Sequence, residues 1–536
     1  MMMNHEYTPW PDDISSKYRD LGYWQDQTLY DHLHTIASSS PDALAICCGD
    51  NTYSYKELLE RIHQLAGGFI KLGLQPGDNV VLQINNTAEF YFSFFALTFK
   101  GIKPVLALPA HRYLELSYFC DHARARAYIF SEHASGETAQ NIASQLLENC
   151  TTVDFAITTG ETGKGHVHSL KNLIAEPCAK QTTTADNVAF FQLSGGTTGT
   201  PKLIPRTHND YAYSILGSNS ICQFNQDTRY LCTLPAAHNF PLSSPGALGT
   251  LFAGGCVILS LDGSPELNFS LIEQHKVNTC ALVPPLALLW MQYAQSATQD
   301  ISSLNLIQVG GAKLSESAAR KLPSALGCNL QQVFGMAEGL VNYTRLDDPV
   351  DVITRTQGRP ISEHDEILIV DEEGTPVSLG EEGLLMTRGP YTIRGYYKAP
   401  EHNQHSFTVD GFYATGDLVR QTAEGNIIVT GREKDQINRG GEKIATEEIE
   451  NILLKHDDIH DAALIGVPDK CLGEKSCAVI VCNTSANLKP VAIKKFLYSQ
   501  GVAEYKIPDY IKFCQQLPKT SVGKINKKAL RAEYST

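Results

Sequence analysis

The chain has 536 residues, of which 43% are hydrophobic and 19% charged, and a formal net charge of −14 at pH 7. Its length exceeds what one hydrophobic core holds, so two or more domains are expected, and the acidic balance excludes a general nucleic-acid binder. The 14 cysteines are scattered without C-x-x-C or zinc-type spacing, and no apolar run has signal or membrane-span length, so a reducing, cytoplasmic setting with no membrane partner is expected.

Near the start, Thr52 to Leu58 reads as a short strand entering a helix, with Ser54 as N-cap and Glu57 three residues on. A turn at Gln75-Pro76-Gly77-Asp78 precedes a buried-type strand from Asn79 to Ile84. A helix from about Thr87 to Lys100 follows, then another apolar run from Pro104 to Leu108. Strands and helices alternating at this spacing indicate α/β layers with much parallel sheet. Residues 131–186 read as polar and irregular.

The strand Asn187 to Gln192 leads into Leu193-Ser194-Gly195-Gly196-Thr197-Thr198-Gly199-Thr200-Pro201-Lys202. Glycines let the backbone approach a ligand, turned N–H groups favour anions, and Lys202 adds a mobile positive charge. The pattern is that of a phosphate-gripping loop. It is neither the P-loop nor the dinucleotide fingerprint: at the nearest P-loop match, Gly523-Lys524, Pro518 stands where the first glycine belongs and Ile525 follows the lysine.

Further strands end in loops rich in glycine or polar groups. Tyr230 to Leu234 runs into Pro235-Ala236-Ala237-His238-Asn239-Phe240, Leu306 to Val309 into Gly310-Gly311, and Leu330 to Phe334 into Gly335-Met336-Ala337-Glu338. Such a common edge is where α/β folds bind ligands. From about residue 355 strands shorten and glycines multiply, suggesting a small antiparallel or barrel-like unit. Gly431 to Gly441 reads as a linker, and about 100 residues follow, enough for a small domain.

Taken together, the loop at 193–202, Phe334 to Glu338, Gly383 with Arg388-Gly389, Tyr413-Ala414-Thr415-Gly416-Asp417, Gly431 to Asp435, and Gly523-Lys524-Ile525 resemble, in order, the motifs of the adenylate-forming enzymes. This superfamily includes acyl-CoA synthetases, peptide-synthetase adenylation domains and luciferases. Pro235 to Ser244 and Gly335 to Thr344 are similar to its aryl-acid branch in catechol siderophore biosynthesis. The resemblance implies an α/β fold: a large domain of layered α/β subdomains plus a barrel-like unit at about 1–432, and a small α+β domain at 433–536 joined by a hinge at Lys434.

The same resemblance implies two half-reactions. An aryl carboxylate, 2,3-dihydroxybenzoate, attacks the α-phosphate of ATP, and a thiol then takes the aryl group from the adenylate. The thiol expected is the phosphopantetheine of an aryl carrier protein. Lys524 is the implied catalytic cation. Ser194, Gly195, Gly196, Thr197, Thr198, Gly199 and Lys202 would hold phosphates, and Glu338 would coordinate Mg²⁺. Asp417 and Arg432 would take the ribose, while Gly310, Gly311, Gly335 and Met336 would let adenine and phosphate lie against backbone. His238 would sit at the carboxylate end and move aside for the thiol. Asn239 would bond the 2-hydroxyl and Ser244 the 3-hydroxyl, with Phe240 and Val341 as walls. Phe240 stands where the resemblance calls for Tyr. Without the resemblance, Ser244 before Pro245 is also a helix start. A salicylate- or benzoate-activating ligase, with coenzyme A as acceptor, is the alternative, and an inactive ATP-binding scaffold is the rival from another class.

Overall fold

A computed structural model describes residues 6–131, 139–161, 167–181, 183–194, 201–371, 373–439, 442–469, 472–483, 488–500, 502, 504–520 and 524–534. The helix Tyr55–Leu72 starts where its sequence says it should. The Ser54 hydroxyl accepts from the Glu57 N–H, and the Glu57 carboxylate accepts from the Ser54 N–H at 2.8 Å. Gly73 ends it in the left-handed region with a φ of 117°. The helix Ala88–Phe99 has a different character: every residue except Glu89 is buried. A helix apolar all round has no solvent face to offer, and this one lies inside the largest core.

That core joins two large sheets. The seven-stranded sheet runs in the order Val167–Ser169, Phe155–Thr158, Ala125–Phe130, Asn79–Gln83, Lys103–Leu106, Val188–Leu193, Leu203–Thr207, parallel except at the last pair. The nine-stranded sheet places Leu44–Cys48, Cys256–Leu259, Arg229–Cys232, Thr279–Leu282, Leu306–Val309 and Asn329–Met336 side by side and parallel, with antiparallel strands at both edges. Val80 and Leu82 of one sheet and Ile46, Tyr230 and Val257 of the other meet around the buried helix.

The small glycine-rich unit is a four-stranded antiparallel sheet of Glu366–Val370, Gly383–Arg388, Tyr413–Gln421 and Ile427–Arg432. The next sheet starts at Ile437–Arg439, after a short 3-10 turn Glu433–Asp435. Of the stretch read as an eleven-residue linker, 431–432 and 437–439 are strand, and the 3-10 turn Glu433–Asp435 lies between them. The stretch read as irregular contains the helix Ala139–Asn149, whose Ala139, Ile142, Ala143 and Leu146 form a buried face thin enough to be hidden by polar neighbours.

Among the described residues, no helix is long and apolar enough to cross a membrane.

Candidate functional site

The C-terminal ends of Arg229–Cys232, Leu306–Val309 and Asn329–Met336 lie at the same end of the nine-stranded sheet, and the charge of Lys524 from the C-terminal unit acts on His238 there. Gly195, Gly196, Thr197, Thr198 and Gly199 lie outside the described residues, as does Gly523; of Lys434 only the backbone is described. The base of the loop is defined. Ser194 N–H donates to the Lys202 carbonyl and Lys202 N–H to Ser194 Oγ, each at 2.9 Å. Lys202 Nζ lies 5.8 Å from the centre of the Tyr396 ring.

Tyr396 leads to Glu338. Its hydroxyl donates to Glu338 Oε1 at 2.8 Å and lies 3.0 Å from the Tyr413 hydroxyl. Burial raises the pKa of Glu338, opposed by the Tyr396 hydrogen bond and by Arg432 and Arg206. Arg206 fixes the preceding residue by donating to the Ala337 carbonyl at 2.6 Å, and is itself held by Asp210 at 2.6 Å. Among the described residues no three His, Cys, Asp or Glu side chains gather. One hard carboxylate beside a phosphate site nevertheless fits Mg²⁺, which binds one or two carboxylates alongside substrate phosphates and water.

Asp417 and Arg432 face each other across the antiparallel pair Tyr413–Gln421 and Ile427–Arg432, Nε to Oδ1 at 2.8 Å. The carboxylate is 5% exposed and the guanidinium 41%. Burial raises the Asp417 pKa while Arg432 and Lys524 pull it down; Asp417 in turn raises Arg432. Lys524 comes from the other side, carried by the C-terminal unit. Water reaches it, yet protein crowds it enough to lower its pKa, helped by Arg432 and opposed by Asp417, Glu447 and Glu338. Glu447, in the helix Thr446–Leu453, also crosses the cleft toward Lys313, whose Nζ donates to the Val429 carbonyl at 2.6 Å. Burial raises Glu447 and lowers Lys313, and each opposes the other's shift.

His238 caps the short helix Asn239–Ser243, its Nδ1 accepting from Phe240 N–H at 3.3 Å. Burial, then the charge of Lys524, pushes the imidazole pKa down to about 4. The ring is therefore neutral, with its remaining proton on Nε2. Phe240 lies over Gly310: a Cβ there would come within 3.0 Å of its ring. A Cβ on Gly335 would meet Val341 Cγ2 at 3.3 Å. Gly311, at a φ of 77°, turns the chain after Leu306–Val309, and Met336 ends Asn329–Met336. Phe240, Val341 and these glycines thus form one apolar wall.

Ser244 is buried, and its hydroxyl does not cap a helix; the following helix Gly246–Phe252 has Pro245 at its N-cap without a side-chain bond. Ser244 instead bonds Tyr343, whose hydroxyl donates to Ser218 Oγ at 3.0 Å.

Sequence reasoning met Tyr396 and Tyr413 as motif residues without giving them a role, and it missed Arg206, Lys313 and Glu447. Only Arg206 carried a local signal: it precedes the capping box of Thr207 and Asp210 and stands four residues before that Asp.

The chain matches the family model for AMP-binding enzyme over residues 33–397 and that for AMP-binding enzyme C-terminal domain over 448–524. It is 59% identical to the vibriobactin-specific 2,3-dihydroxybenzoate-AMP ligase of Vibrio cholerae, covering 100% of this chain and 99% of that one. The 2,3-dihydroxybenzoate-AMP ligase of Bacillus subtilis is 52% identical, over 99% of this chain and 98% of its own. The apo structure of MbtA from Mycobacterium smegmatis is 42% identical, covers 98% of this chain and 99% of its own, and superposes with a TM-score of 0.77.

Proposed function

The chain belongs to the family of AMP-binding enzymes, and on that premise we propose that it joins 2,3-dihydroxybenzoate to AMP and passes the aryl group to a carrier-protein thiol in siderophore biosynthesis. The observation that carries this reading is that the charge of Lys524 acts on His238, Asp417 and Glu338 beside the apolar wall of Phe240 and Val341. In the first step a carboxylate oxygen attacks the α-phosphorus of ATP, and the bond to the bridging oxygen breaks as pyrophosphate leaves. Both partners are anions, so the barrier falls when fixed cations and dipoles face the charge that develops.

Lys524 bridges the attacking carboxylate and the α-phosphate. Lys202 and the loop at 195–200 take the outer phosphates. Asp417 accepts from the ribose hydroxyls, with Arg432 holding the carboxylate in place. Glu338 would hold Mg²⁺, which supplies charge neutralisation to the phosphates. His238, neutral and a donor at Nε2, orients the carboxylate without adding a charge that would compete with Lys524. On the aryl side Phe240 and Val341 enclose the ring, Asn239 meets the 2-oxygen and Ser244 the 3-hydroxyl.

The second step needs access for a long thiol arm where Lys524 now stands. The domains are taken as 1–432 and 433–536, with Lys434 as the hinge that withdraws Lys524. ATP–pyrophosphate exchange across a panel of aryl acids tests the first step. Exchange greatest with 2,3-dihydroxybenzoate is expected; a preference for salicylate or benzoate would move the assignment to that acid, and no exchange with any would refute it. With carrier protein and coenzyme A compared as acceptors, equal efficiency would refute the carrier.

A further inference from the structure

The helix His208–Cys222 carries Tyr211 into full burial beside the aryl wall. Its ring packs edge-to-face on Phe190 at 4.6 Å between centroids, and the Arg206 guanidinium lies 4.9 Å from its centre. These contacts fix the ring, and so fix where its hydroxyl points. That hydroxyl donates to Asn239 Oδ1 at 2.9 Å, while Gln192 Nε2 approaches it at 3.5 Å from the donor side. Ser243 Oγ lies 3.3 Å from the same Asn239 oxygen. Burial pushes the Tyr211 phenol up to about 12, so it keeps its proton and remains a donor.

An amide has an accepting end and a donating end. Tyr211 occupies the accepting end. Among the described residues Nδ2 of Asn239 has no hydrogen-bond partner, and the residue is half-buried. We propose that Tyr211 is a positioning residue that turns Asn239 so that the pocket offers a donor, and not an acceptor, to the substituent beside the carboxylate of the aryl acid. This rests on the aryl-acid reading above and deepens it.

The consequence is a choice between substituents of nearly equal size. In a 2-hydroxybenzoate the hydroxyl donates to its own carboxylate and leaves oxygen lone pairs facing outward, which match Nδ2–H. In 2-aminobenzoate one N–H takes that internal bond and the second N–H faces outward, so two donors meet. With the phenol removed, the longer Ser243 bond at 3.3 Å is what still holds Oδ1, so the Asn239 amide turns over more readily and presents Oδ1, which suits the amine.

The test is kcat/KM by pyrophosphate exchange for salicylate, 2-aminobenzoate and 3-hydroxybenzoate in the wild type and in Tyr211→Phe. The salicylate-to-2-aminobenzoate ratio should fall about tenfold or more, as one misdirected hydrogen bond implies. The 3-hydroxybenzoate value, with no group at that position, should change less than about threefold. Ratios between acids in one sample do not depend on how much of the protein folds. In an Asn239→Leu background, Tyr211→Phe should leave the ratio where that background sets it. An unmoved ratio in the single variant, or a ratio that still moves in the double variant, overturns the proposal. A wild type that exchanges with no aryl acid overturns the aryl-acid reading and this inference with it, whereas an active wild type with an unmoved ratio overturns the inference alone.

Discussion

Replacing Lys524 with Ala removes a cation that the C-terminal unit places against both His238 and Asp417. The developing charge at the α-phosphate then has lost a fixed partner, a change worth about 10²–10³ in rate, or about 2.7–4 kcal/mol. Arg432 does not substitute, because its guanidinium is committed to Asp417 at 2.8 Å. The primary assay is pyrophosphate exchange under saturating ATP, and thiol transfer from preformed adenylate should suffer much less. A second readout comes from His238, whose pKa of about 4 has burial as its larger cause and Lys524 as its smaller. Without the lysine, its imidazole should titrate at higher pH, yet still below the ordinary 6.5. In kcat/KM, which reports the free enzyme, the alkaline limb of exchange should fall below the ordinary lysine value of 10.5, because burial lowers the Lys524 pKa. Lys524→Arg keeps its charge and should abolish that limb. Exchange in Lys524→Ala within about threefold of wild type, with His238 unshifted, would refute the reasoning.

Lys434→Pro fixes φ in the short 3-10 turn between the two sheets, and should lower thioester formation far more than pyrophosphate exchange; equal losses would argue against a hinge there. Ser244→Cys should lower kcat/KM for 2,3-dihydroxybenzoate by roughly ten- to a hundredfold and hold or improve salicylate, since a thiol is a weaker partner for the 3-hydroxyl. A constant ratio between the two acids would remove Ser244 from that role. Gly358→Ala places a Cβ against the Tyr343 and Thr344 backbone at a φ of 75°, in the turn that bonds Ile427 through its carbonyl at 2.7 Å. Thermal or denaturant unfolding should show a loss at the upper end of about 0.5–3 kcal/mol, and a change under about 0.5 kcal/mol would contradict the close approach.

What a single sequence reveals depends on whether the cause is local. Ser54 and Glu57 cap a helix within four residues of each other, so their capping box was legible before any fold was known. The strand-then-glycine edge at Gly310 was legible for the same reason, since it is a strand and its own turn, whereas Gly335 lies inside its strand, paired with Val341. Asp417 and Arg432 could be singled out as motif residues, but their pairing depends on the register of two antiparallel strands. Tyr211 looks in sequence like any core aromatic of a helix; only the sheet order brings it against Asn239. Glu338 meeting Tyr396, and Glu447 meeting Lys313, arise from elements far apart in the chain, and no spacing rule announces either. Ser244 had two local readings; the helix beyond it has no side-chain cap, and the hydroxyl goes to Tyr343.

The helix Ala88–Phe99 is gripped on both faces by the two large sheets. Sliding one sheet against the other would open voids on each side of it at once, and close-packed interiors resist that. Mechanically the two sheets form a single block, and on the proposed function the movement would fall in the short span 433–436 between the strands ending at Arg432 and starting at Ile437. On that proposal an incoming acid meets walls that are already set, and travel of the C-terminal sheet would admit the thiol that follows. Selectivity and turnover would then be lodged in separate stretches of the chain, and the proposed aryl wall could be redrawn by substitution at a few positions without altering the unit proposed to move.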